Sequence, residues 1–206
     1  SSLRGLATST LNRKKQYIKS FFDFCIGMDW LDKNPALRLK PERDKREIER
    51  KYFTKDEINH IIEYAGEFED FWVFLLETGI RCTDAWNLSK ANFNGNWCKW
   101  FENKNKRWVS IPLNKKAMEI VNRKQGVLFP EFKFISTRRK ALKALQTLVP
   151  NAKHHTFRHT YAQNAGNNGV SKEILQRLLG HRSITTTEKY FNDINDQSLQ
   201  DYVNNC

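Results

Sequence analysis

The sequence predicts a mainly α protein with one small antiparallel β-sheet, an α+β fold. Three observations carry that prediction. Apolar residues recur at helical spacing along most of the 206 residues, in blocks long enough for helices rather than strands. A helix-start signal stands out upstream, the capping box Thr54-Lys55-Asp56-Glu57. One stretch, from Asn96 to Ile111, turns instead to the aromatic and β-branched composition of paired strands.

The first predicted element is an amphipathic helix over Ser9–Met28. Leu11, Ile18, Phe21, Phe22 and Cys25 share one broad face, Lys14, Lys15 and Lys19 lie outside it, and Gly27 is the stop. Asn34-Pro35 breaks the chain, because a residue before proline disfavours the α region. Arg38 to Lys51 carries seven basic and four acidic residues and few large apolar ones, the composition of an exposed linker.

Behind the capping box a helix carries Ile58, Ile61, Ile62 and Ala65 inward, and Phe68–Glu77 forms another with a strongly aromatic buried face. Thr83 caps a third through Leu88, and Gly79-Ile80-Arg81 is the turn between them, holding Arg81 near a helix start. Asn96–Phe101 and Arg107–Ile111 are the two arms of a β-hairpin, with Glu102-Asn103-Lys104-Asn105-Lys106 as its lysine-bearing tip. Helical periodicity returns at Lys115–Arg123, Ser136–Leu148, around Thr156–Asn167, and at Ser171–Leu179.

Bulk composition narrows the function. The formal net charge is +12, which suits a polyanionic partner, most often nucleic acid. Cys25, Cys82, Cys98 and Cys206 show no metal-ligand spacing, and nothing secretory precedes them, so reduced thiols are expected. No run approaches the roughly 20 apolar residues of a membrane span; the longest is Phe71 to Leu76. The chain opens on Ser, which points to a longer natural N-terminus.

One constellation carries chemistry. His154-His155-Thr156-Phe157-Arg158-His159 is followed by Leu179-Gly180-His181 and then by Tyr190, with Thr78-Gly79-Ile80-Arg81 far upstream. Two arginines can clamp the non-bridging oxygens of a phosphodiester, and a phenol can attack its phosphorus without a metal. His155 and Arg158 are three apart and share a helix face. His155 and His159 do not read as a metal pair: no glutamate lies between them and no third ligand is evident.

This pattern resembles the tyrosine recombinases, also called phage integrases, from about Tyr52 to Tyr190: Arg81, a hairpin lysine, His155-x-x-Arg158, Leu179-Gly180-His181, and Tyr190 nine residues on. Asp84 matches the acidic residue three positions after the first arginine and is expected to orient it. Lys104, eight residues before Pro112, matches the hairpin lysine by spacing, with Lys106 as the competitor; Asn103 and Asn105 flank it where the family often has glycine.

The resemblance implies a helical core-binding-domain fragment over 1–40, a charged linker over 41–51, a catalytic domain over 52–191, and a tail over 192–206 that docks on a neighbouring subunit. It further implies a catalytic set of Arg81, Lys104, His155, Arg158, His181 and Tyr190, with Tyr190 as nucleophile and Lys104 as general acid. His155 either takes the phenolic proton or supports the cationic cage. No metal or cofactor enters and no ATP is needed, because a 3′-phosphotyrosyl link conserves the bond energy.

The implied partners are double-stranded DNA at specific recombination sites and three further copies in a synaptic homotetramer, assembled from monomers free in solution. Accessory DNA-bending or directionality proteins are expected, and no membrane. The expected setting is the nucleoid of a prokaryotic cytoplasm, and the expected outcome integration or excision of a mobile element. A type IB topoisomerase-like enzyme and an inactive DNA-binding protein are the alternatives. The Leu-Gly-His to Tyr spacing and the charged linker favour the recombinase.

Overall fold

The computed structural model describes residues 6–43, 52–103, 105–180 and 187–188. The chain divides into two compact units, Ser1–Glu49 and Arg50–Cys206.

In the first unit, α1 (Thr8–Gly27) stops at the glycine that the sequence marks. Its apolar face is only lightly buried: Cys25 is enclosed, whereas Ile18 and Phe21 are exposed. Asn34 does more than break the chain. Its amide donates to the Lys19 carbonyl at 3.1 Å and to Asp23 at 2.6 Å, and its oxygen accepts from the Ala36 N–H at 2.8 Å. Side-chain bonds of this kind give the backbone a turn in place of further helix. The start of the charged run is not a free linker. Asn12 exchanges two 2.8 Å bonds with the backbone of Glu42, whose carboxylate lies 2.9 Å from Lys15 Nζ.

The second unit begins with the Phe53 N–H donating to Thr160 Oγ1 at 2.9 Å. The capping box then opens α2 (Lys55–Glu63) with both reciprocal bonds made, at 3.1 and 2.9 Å. Helix α3 (Glu69–Thr78) is the core of the unit. Phe71, Trp72, Phe74 and Leu75 are all buried on it, so apolar side chains cover most of its circumference. Rings from later segments close around it: Phe71 lies 3.9 Å from Phe132 and 5.2 Å from Phe129, and Trp72 stacks on Phe157 at 6.2 Å. Each such side chain contributes on the order of 2 kcal/mol by burial.

A short helix, α4 (Cys82–Ala85), starts with Arg81 as its N-cap, so the helix expected to be capped by Thr83 and to run through Leu88 begins earlier and ends at Ala85. Strands β1 (Phe93–Asn94), β2 (Trp97–Glu102) and β3 (Arg107–Pro112) form an antiparallel sheet in the order β1-β2-β3. Residues 98, 100 and 102 of β2 face inward and its other residues outward. Glu102, expected in the hairpin tip, is therefore the last inward position of the strand, paired with Arg107. Among the described tip residues Lys106, not an asparagine, takes the left-handed backbone (φ 51°); the side chain of Asn105 is engaged instead with Glu102 at 2.5 Å.

Four further helices follow among the described residues: α5 (Lys115–Arg123), α6 (Ile135–Leu148), α7 (His154–Asn167) and α8 (Lys172–Leu179). Helix α7 begins one turn's fraction before the expected Thr156, and Ser171 caps α8. Helix α3 packs on α5 and α7, and α8 packs on α7 and β3. Cys25, Cys82 and Cys98 carry free thiols, and burial pushes that of Cys98 up to about 12. Among the described residues no helix is long and apolar enough to cross a membrane.

Candidate active site

Three segments converge where the sequence places its chemistry. The first is the turn after α3. Thr78 Oγ1 donates to the Phe74 carbonyl at 2.6 Å and accepts from the Ile80 N–H at 3.3 Å, which closes the helix. Gly79 then takes the left-handed conformation (φ 62°), a conformation that L side chains adopt at a cost. A Cβ at this position would lie 2.5 Å from Tyr161 Cδ1, so the turn also needs glycine for space. The chain leaves this turn extended and delivers Arg81 to the start of α4.

The second segment is the first turns of α7. Arg158 is 3% exposed. Its Nη1 donates to the Gly79 carbonyl at 2.8 Å, and its Nη2 donates to the Leu179 carbonyl. A planar guanidinium with five N–H donors can hold both carbonyls and still present donors elsewhere. The third segment is the end of α8, where Gly180 turns left-handed (φ 61°) directly before His181. Arg158 thus joins all three segments.

His155 is exposed on α7, with its ring 4.6 Å from that of His159. Its neighbour His154 is buried, 5.8 Å from the Phe71 ring, and burial lowers its pKa to about 4, so it is neutral at pH 7. The structure thereby separates the two adjacent histidines: His155 on the surface, His154 in the core. Lys104, His181 and Tyr190 lie outside the described residues, so Arg81, His155 and Arg158 are the expected site residues whose placement is described.

Arg81 has a partner that the sequence did not suggest. Its Nη1 pairs with the carboxylate of Glu102, which is 1% exposed. Asp84, the expected orienting acid, is 3.9 Å away, beyond hydrogen-bond range, and its pKa is raised, mainly by burial. Glu102 also lies 3.4 Å from Arg107 Nε. The signal that could have found it is the alternation of β2: Cys98 and Trp100 point inward, and the next inward position is Glu102.

The turn that presents Arg81 and the guanidinium of Arg158 are drawn together from distant parts of the chain, and Asp84 feels both charges. Such a site can hold the non-bridging oxygens of a phosphate. Among the described residues no group of three or more His, Cys, Asp or Glu is arranged to hold a metal ion.

Comparison with known proteins agrees with the fold. The sequence profile of the phage integrase family matches residues 51–197. The integrase of Escherichia phage 186 is 26% identical over 196 residues, covering 91% of this chain and 57% of that protein. The integrase of Escherichia phage P2 is 27% identical over 190 residues, covering 91% and 56%. The chain thus spans a little over half the length of these relatives. Among solved structures, the Tn1549 transposon integrase in complex with transposon right-end DNA superposes with a TM-score of 0.74 at 18% identity, covering 98% of this chain and 80% of that one. A lambda integrase dimer bound to a core site gives 0.69 at 16% identity, covering 92% and 75%.

Proposed function

The chain belongs to the phage integrase family, and on that premise we propose that it is a site-specific DNA recombinase that cleaves and rejoins double-stranded DNA through a 3′-phosphotyrosyl intermediate. The observation that carries this reading is the Arg158–Gly79 bond at 2.8 Å. It brings one arginine against the turn that presents the other, so both can meet a single phosphate. The net charge of +12 supports a polyanionic substrate.

In this mechanism the Tyr190 oxygen attacks the scissile phosphorus in line. The tyrosyl O–P bond forms, the bond to the 5′-oxygen breaks, and the phosphate stays on the enzyme. Arg81 and Arg158 stabilise the charge that develops on the phosphoryl oxygens, with His181 as a further donor. Neighbouring cations favour the phenolate of Tyr190. Lys104 gives a proton to the leaving 5′-oxygen. His155, exposed on α7 three residues before Arg158, takes up the phenolic proton or supports the cage. A 5′-hydroxyl from another strand then reverses the attack, so joining needs no ATP.

The assembly that follows is a homotetramer on two duplexes, built from monomers, in a prokaryotic cytoplasm and serving a mobile element. Residues 1–40 act as part of a core-binding domain, 52–191 as the catalytic domain, and 192–206 as a docking tail. The test is strand joining. Two duplexes of different length carrying the element's end junctions should yield recombinant lengths. Relaxation of plasmid lacking any such site, with no recombinant, would instead favour a topoisomerase-like enzyme.

A further inference from the structure

Glu102 is a buried carboxylate that the mechanism above leaves without a role. It occupies an inward position of β2 whose neighbours in the same row, Cys98 and Trp100, are uncharged. One oxygen pairs with Arg81 Nη1. The other accepts from Asn105 Nδ2 at 2.5 Å and lies 3.4 Å from Arg107 Nε. Arg107 is its register partner on β3. The far end of Arg107 reaches the turn after α8: a Cβ at Gly180 would lie 2.9 Å from Arg107 Nη2. One carboxylate therefore meets two guanidiniums and links the turn of Arg81, the base of the hairpin and, through Arg107, the turn before His181.

Fold stability alone is a poor reason for this arrangement. A carboxylate taken out of water costs several kcal/mol, and its ion pairs offset that cost only with good geometry; well-packed apolar residues often do as well. A buried acid is of use when a cation beside it must point one way. Asp84, at 3.9 Å from Arg81, is too far to set that direction by a hydrogen bond.

We infer that Glu102 is a positioning residue of the phosphoryl-transfer site: its carboxylate fixes the direction in which Arg81 presents its guanidinium and registers it against the hairpin that carries Lys104 two residues later. This rests on the function proposed above. Glu102 is 1% exposed, enclosed by protein rather than open to DNA, and its charge has the same sign as that of the phosphate. Removing the charge should therefore leave DNA binding intact or strengthen it, while the chemical step slows. A purely structural side chain would do otherwise: stability, binding and cleavage would fall together.

The experiment measures duplex affinity, melting temperature and the single-turnover rate of covalent adduct formation on nicked junction DNA. It uses the full chain as wild type, Glu102→Gln, Glu102→Asp and Arg107→Gln. Glu102→Gln should bind at least as tightly as wild type and form adduct roughly 10- to 100-fold more slowly, the penalty for a misaimed group. Glu102→Asp, which keeps the charge, should recover part of the rate. Should Glu102→Gln misfold, Arg107→Gln tests the same tie by its own loss of rate at unchanged affinity. Wild-type rates in Glu102→Gln, or losses of rate and affinity in step with melting temperature, overturn the inference. A wild-type chain that forms no adduct overturns the proposed function and this inference with it; an active wild type with an indifferent Glu102→Gln overturns this inference alone.

Discussion

Arg158 Nη1 donates to the carbonyl of Gly79 at 2.8 Å, and this bond sets the relation between the two arginines of the site. The residue two positions after Gly79 is Arg81, so the turn that presents one guanidinium is held by the other. The second bond of Arg158, to Leu179, holds the chain immediately before Gly180 and His181. One buried side chain thus serves both assembly and charge.

Lysine cannot replace it. A single ammonium nitrogen cannot span both carbonyls in the plane of a guanidinium. Arg158→Lys should lose about 2 to 3 kcal/mol of stability, the range for one or two buried charged hydrogen bonds. It should also lose adduct formation. Urea unfolding checks the first and a denaturing gel the second; an unchanged midpoint would show that the two carbonyl bonds do not hold the segments.

Gly79 is required twice, by its backbone and by the ring above it. Gly79→Ala places a methyl 2.5 Å from Tyr161 Cδ1 at a positive φ of 62°. Strain from a left-handed L-residue costs about 1 to 2 kcal/mol, and overpacking about 1 to 3 kcal/mol more. Combining Gly79→Ala with Tyr161→Ala should remove the overlap and keep the strain. Calorimetry of the single and double variants checks this: a double variant that melts where the sum of the singles predicts would mean that the two residues do not clash.

His154 should make the fold acid-sensitive. Buried, it titrates near 4, whereas the unfolded chain takes up that proton near 6.5. Between those values the unfolded state binds more protons, so stability falls as pH drops from about 6.5 toward 4, by at most about 3 kcal/mol. His154→Leu should flatten this part of the profile. Urea midpoints at pH 7.5 and 5.0 measure it; equal acid losses in wild type and variant would place the sensitivity elsewhere.

Local signals were legible where one residue type decides the geometry. The Thr54–Glu57 capping box and the Gly27 stop were each readable, because a helix end depends on one residue and its nearest backbone. So was the placement of Arg81 after a tight glycine turn. Contacts that join distant segments were not. Nothing in the local pattern says that Arg158 would bond Gly79, or that Glu102 rather than Asp84 would hold Arg81. A sequence separation of three suggested Asp84, whereas the pleat of β2 carries Glu102 inward to the guanidinium. His155 and His154 likewise look alike in sequence; which one reaches solvent depends on how α7 packs against Phe71.

The most direct measurement is covalent trapping on nicked suicide DNA that spans the element's end junctions, with peptide mapping of any adduct. Wild-type chain and Tyr190→Phe are compared on denaturing gels. An adduct that maps to Tyr190 and vanishes in Tyr190→Phe is the predicted result. DNA that binds measurably yet yields no adduct, or an adduct that persists in Tyr190→Phe, would contradict the account.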